Sequence, residues 1–94
     1  MTEITVLARI MAREKEAEIV SEAIERLAAA TRSENGCLAY EIFVSETQFG
    51  LTLIHEIWAD QESLLAHGST DHIARFKTEI SGRAEVAVQK LQTI

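Results

Sequence analysis

The hydrophobic period of this chain changes twice before Trp58, and that change narrows its possible folds more than any other feature. Over residues 3–11 it is two: Ile4, Val6, Ala8 and Ile10 fall on one face, and Thr5, Leu7, Arg9 and Met11 on the other, as in a strand. From about Glu14 to Ser33 it becomes helical. Val20, Ala23, Ile24, Leu27, Ala28 and Thr31 form one stripe at i, i+3, i+4 and i+7 spacing. Glu14, Glu16 and Glu18 stand near the start and Arg32 near the end, the order a helix dipole favours. Glu22 and Arg26 have the spacing of an i,i+4 ion pair. Asn35-Gly36 stops the helix, with Gly36 suited to the left-handed position beyond it.

The strand period then returns over residues 37–45 and 51–59. Glu46-Thr47-Gln48-Phe49-Gly50 between them suits a hairpin. Placing Ser45 opposite Leu51 predicts the pairs Ile42–Ile54, Tyr40–Glu56 and Leu38–Trp58 on one side. The other side then pairs Phe43–Leu53, Glu41–His55 and Ala39–Ile57. Asp60 is placed to cap a short helix to His67 that ends at Gly68. Thr70 is placed to cap the next, with Ile73, Phe76 and Ile80 inward and a stop near Gly82. A last strand over 84–92 carries Val86 and Val88 on one side.

The order β-α-β-β-α-α-β over one domain, residues 1–94, predicts an α+β, ferredoxin-like split βαβ fold with an antiparallel four-stranded sheet. One helical layer covers only one side of such a sheet. The opposite side carries Leu7, Met11, Phe43, Leu53 and Ile57, too apolar to leave wet, so a homodimer joined sheet to sheet is expected. In that arrangement His55 beside Glu41 belongs to the interface.

Charge and composition exclude several classes. A net charge of −6, with basic residues scattered, provides no face for nucleic acid. Cys37 is alone, so neither an intrachain disulfide nor a cysteine metal set is available. No apolar run approaches the roughly 20 residues of a membrane span. With no leader pattern before the first strand, the expected location is the cytoplasm.

Several pieces in order resemble the antibiotic biosynthesis monooxygenase (ABM) family, especially its small quinol-monooxygenase-like members. They are Ala8-Arg9-Ile10, Glu34-Asn35-Gly36-Cys37-Leu38-Ala39-Tyr40, Glu56-Ile57-Trp58, Leu65-Ala66-His67 and Thr70-Asp71-His72, with Phe76 beyond. Where family members commonly read Thr-Pro-His, this chain has Thr70-Asp71-His72, and both versions suit a first helical turn. The resemblance implies a dimeric α+β barrel with a pocket between sheet and helices. It also implies oxygenation of a small aromatic or quinol-like substrate by molecular oxygen without flavin, haem or metal. Haem-degrading relatives use an asparagine, a tryptophan and a histidine. Trp58 matches the tryptophan, but Ala8 stands for the asparagine and the ligating histidine falls near Lys77, which argues against haem chemistry.

The candidate catalytic residues are His72, His67, Trp58 and Glu56, with Ala8, Tyr40 and Phe76 lining the substrate pocket. An imidazole titrates near neutral pH and is suited to making a reactive phenolate. His72 is the preferred base because it opens a helix, where the dipole favours the neutral ring. Trp58 is placed to stack on a flat ring and exclude water. Glu56 is placed to orient a histidine or to accept a hydrogen bond from Tyr40. No metal site is expected, since two histidines five apart lack a third ligand of suitable spacing. Two other readings stay open: a cofactor-free isomerase of a small carbonyl metabolite using the same histidines, and a dimer that holds a small apolar ligand without catalysis.

Overall fold

The computed structural model describes residues 2–94. Its elements are β1 (Ile4–Ala12), α1 (Ala17–Thr31), β2 (Cys37–Val44), β3 (Leu51–Trp58), α2 (Gln61–Gly68), α3 (Asp71–Ile80) and β4 (Ala84–Leu91). The four strands form one sheet in the order β2-β3-β1-β4, with every neighbouring pair antiparallel. This is the ferredoxin-like α+β arrangement, and its two central strands are the ones with alternating apolar residues on both faces.

The predicted hairpin register holds from Ala39 to Val44, including Tyr40–Glu56 and Ile42–Ile54. It fails at the first turn of β2. Cys37, not Leu38, lies opposite Trp58, because a bulge between Cys37 and Ala39 inserts one residue. Leu38 is turned outward, 54% exposed. Gly36 adopts φ +83° just before the bulge, a conformation costly for any residue with a Cβ. Its missing side chain also makes room for Ser63, whose Oγ would lie 2.1 Å from a Cβ there. The Gly36 carbonyl accepts from the Ala59 amide at 2.8 Å. The loop before β2 is thereby held against the start of α2.

Helix α1 starts at Ala17 rather than Glu14, because Lys15 takes φ 71° and breaks the backbone ahead of it. Its predicted stripe is its buried face. The predicted Glu22–Arg26 pair is replaced by a bridge between helices, Arg26 to Glu79 of α3 at 2.6 Å. Arg32 is the C-cap of the helix, its amide donating to the Ala28 carbonyl at 3.0 Å. Its guanidinium donates to the Tyr40 carbonyl at 2.8 and 3.1 Å and ties α1 to β2. Both expected caps are present: Asp60 accepts from the Ser63 amide and Thr70 from the Ile73 amide. The hydrogen bonds from Ser63 hold the Asp60 carboxyl below the usual carboxylate range.

The helices cover β1, β2 and β3 and leave β4 largely bare. Val6, Ala8, Ile10, Ile54 and Tyr40 join the α1 stripe, Phe76 and Ile80 in the buried core. On β4, Val86 and Val88 face the helix side yet stay exposed. No helix among the described residues is long and apolar enough to cross a membrane.

Candidate active site

The uncovered edge beside β4 is where the core opens. A cavity of about 260 Å³ lies there between the sheet and α2–α3, lined by Ala8, Ile10, Tyr40, Glu56, His67 and Phe76 among others. Val86 and Val88 stand on its β4 side and Lys77 on its α3 side. A shallower groove by Thr2, Ile4, Asp60 and Leu65 gathers no imidazole or aromatic group.

All three expected pocket residues, Ala8, Tyr40 and Phe76, line the cavity, as do Glu56 and His67 of the expected catalytic set. Trp58 and His72 do not reach its wall. Trp58 is fully buried, and its indole lies against the His67 ring, centroids 4.6 Å apart at 34°. It is therefore the floor beneath His67 rather than a platform for a substrate. His67 and His72 are neighbours, with ring centroids 6.1 Å apart.

What joins the two rings is Glu34, which is not among the residues that the sequence points to as catalytic. Its Oε2 lies 2.7 Å from His67 Nδ1 and 2.6 Å from His72 Nε2. Its distance along the chain from both histidines hid it: the link runs through the fold, not through any local motif. The signal that could have found it is Glu34-Asn35-Gly36, since a glycine held in a left-handed turn fixes the residues around it. Thr70 completes the frame. Its hydroxyl donates to the His67 carbonyl at 2.8 Å and accepts from the Ile73 amide, so one side chain sets the end of α2 against the start of α3.

Glu56 accepts from the Trp58 indole N–H at 2.9 Å, not from Tyr40 across the hairpin. Its carboxyl is pushed above the usual range, first by burial; the Trp58 hydrogen bond and nearby His67 oppose that shift, and Glu34 adds to it. Burial and the adjacent Glu56 raise the Tyr40 phenol as well. Burial, reinforced by Glu34 and Glu56, raises the Cys37 thiol, which matches a small packing residue rather than a nucleophile.

Glu34, His67 and His72 are also a possible nitrogen–oxygen metal set, with one ligand atom each, all within 4.8 Å of one another. Their spacing is that of shared hydrogens. Bonds of about 2.0–2.1 Å to a tetrahedral ion would hold the donors ~3.3 Å apart, whereas Glu34 Oε2 sits within 2.7 Å of both ring nitrogens. An ion would require the trio to open.

The fold and this cluster define a small ferredoxin-like α+β protein with an apolar hollow and an imidazole on its wall. Residues 3–79 match the model of the antibiotic biosynthesis monooxygenase family, and the chain belongs to that family. Solved structures agree. A conserved Bacteroides thetaiotaomicron protein called a possible oxidoreductase is 32% identical, with 98% of each chain covered and a TM-score of 0.91. A Pseudomonas aeruginosa protein is 28% identical, covering all of this chain and 96% of its own, at a TM-score of 0.94. A structure described as an antibiotic biosynthesis monooxygenase is 27% identical over 97% of this chain and 98% of its own, at 0.90. A search of curated proteins finds no match. The family and these neighbours support a monooxygenase-like function in general terms.

Proposed function

We propose that the protein is a cofactor-independent monooxygenase acting on a small aromatic, quinol-like substrate, with His67 as the base. The observation that carries this reading is His67 on the wall of a largely apolar hollow, with the Glu34 carboxylate 2.7 Å from its Nδ1. A volume of about 260 Å³, at the small end of ligand pockets, suits one or two rings. Ala8, Ile10 and Phe76 would hold the ring in dry surroundings, and Tyr40 and Glu56 add polar groups to the wall. His67 would take a phenolic proton, and the resulting electron-rich phenolate would react with dioxygen. The overall conversion balances: a hydroquinone and dioxygen give a hydroxyquinone and water, so the substrate itself supplies the reducing electrons.

The reading includes a homodimer. The back of the sheet presents Leu7, Met11, Leu53 and Ile57 half-buried and Phe43 55% exposed. Covering such a patch is favourable by about 25 cal/mol per Å². A second copy presents the same surface and is the simplest cover.

The test is oxygen uptake with a panel of hydroquinones. Substrate-dependent uptake that His67→Gln lowers by about 100-fold or more is expected. Absence of uptake above buffer across the panel defeats the reading. Turnover of a small carbonyl compound that continues without oxygen would transfer the same base to isomerisation.

A further inference from the structure

We propose that Glu34 is the positioning residue of this site. It fixes His67 as the Nδ1–H tautomer, leaving Nε2 to act as the base, and His72 serves to hold Glu34 rather than to take the substrate's proton. This rests on the oxygenase reading for its catalytic half, but its tautomer half stands independently.

The argument begins with donors and acceptors. An ionised carboxylate only accepts hydrogen bonds. With one Glu34 oxygen 2.7 Å from His67 Nδ1 and 2.6 Å from His72 Nε2, each of those nitrogens carries a hydrogen. In a neutral imidazole the other nitrogen is then the acceptor: Nε2 for His67 and Nδ1 for His72. Of the two rings only His67 lines the cavity, so the basic nitrogen available to a substrate is His67 Nε2. When it gains a proton, the phenolic O–H bond breaks, an N–H bond forms, and the electron pair stays on the substrate oxygen. The imidazolium formed is then paired with Glu34 across a charge-assisted bond.

Two further observations suit Glu34 to this role. Neither an arginine nor a lysine bonds its carboxylate among the described residues; its ionic partners are His67 and His72, so its charge is directed at the two rings. Its side chain is 13% exposed and that of His67 9%, against 26% for His72. The base and its carboxylate are thus the sheltered pair, and His72 is the outer clamp. Tyr40 from β2, Glu56 from β3 and His72 from α3 also stand near His67, and Lys77 of α3 lines the same cavity. Neither Tyr40 nor Glu56 is hydrogen-bonded to its ring.

Nitrogen-15 and proton NMR of the imidazoles in the intact protein tests the assignment without a substrate. Wild type is expected to show His67 protonated at Nδ1 and His72 at Nε2, and Glu34→Ala should release His67 to the Nε2–H form. His67 found as Nε2–H in the wild type overturns the proposal. Activity on a responsive hydroquinone gives the second arm. Glu34→Ala should lower kcat by about 100-fold with little change in KM, as loss of a carboxylate behind a base does. His72→Gln, which keeps a donor for Glu34, should retain most of the activity that His72→Ala loses. If His72→Gln is as inactive as His72→Ala while His67→Gln remains active, His72 is the base and the proposal is wrong. A chain inactive on every hydroquinone fails the oxygenase reading alone, and the tautomers still decide the role of Glu34.

Discussion

The two faces of the same sheet are nearly equal in hydrophobic content and unequal in what covers them. On the helix side Val6, Ile10, Ile54 and Trp58 are 0–2% exposed. Between them on the same strands, Leu7, Met11, Leu53 and Ile57 remain half-buried, and Phe43 on β2 stands largely in the open. Strand periodicity alone cannot separate these faces, since each strand offers an apolar row to both. The difference teaches that folding of one chain uses only one of the rows. The other row is what we propose a second copy covers.

That contrast can be broken by substitution on either face. The largest effect is expected from Trp58→Ala. It empties the most buried large side chain, leaves Glu56 without its donor and should cost about 3–5 kcal/mol, read as a lower denaturant midpoint. Leu53→Asp on the back face should leave the single chain folded but place a charge in the proposed interface. Self-association should weaken by about 100-fold or more in sedimentation velocity. If Leu53→Asp instead unfolds the chain and leaves association unchanged, the two faces are not divided in this way. Thr70→Ala removes the cap of α3 and the brace on His67, at about 1 kcal/mol of stability, with a greater proportional loss of activity.

The smallest effect concerns Glu56. Its folded-state carboxyl titrates above the unfolded one, mainly because it is buried, so the native state binds more protons than the unfolded state. Stability therefore falls as pH rises from the ordinary glutamate value of about 4.3 through the raised folded value. Glu56→Gln keeps an acceptor for the indole and removes this dependence. The variant should gain on wild type across that window and hold a constant advantage above it, measured as unfolding midpoints between acidic and neutral pH. An advantage that shrinks as pH rises would contradict the assignment.

Most of the fold was legible because local signals and global packing agree. The α1 stripe, the caps at Asp60 and Thr70 and the hairpin register from Ala39 to Val44 are each set by residues a few positions apart. What was not legible depends on contacts between distant segments. The bulge that turned Leu38 outward adjoins Gly36 closing on Ser63, and Arg26 found Glu79 across the helices rather than Glu22 along its own. The site divides likewise. Ala8, Tyr40 and Phe76, expected at a pocket from the family resemblance, do line the hollow, whereas Glu34 meets His67 and His72 only after three connections have been folded back. Trp58 packs on the His67 ring, and which ring it stacks on is not a property of its neighbours in sequence.

Because the chain has a single tryptophan, and that indole lies against His67 out of reach of water, the protein carries its own optical gauge. Its tryptophan emission comes from one place, and a proton gained by the ring above it should dim that emission. Filling the hollow should then be readable by light alone wherever it changes the charge on that ring, with no label attached.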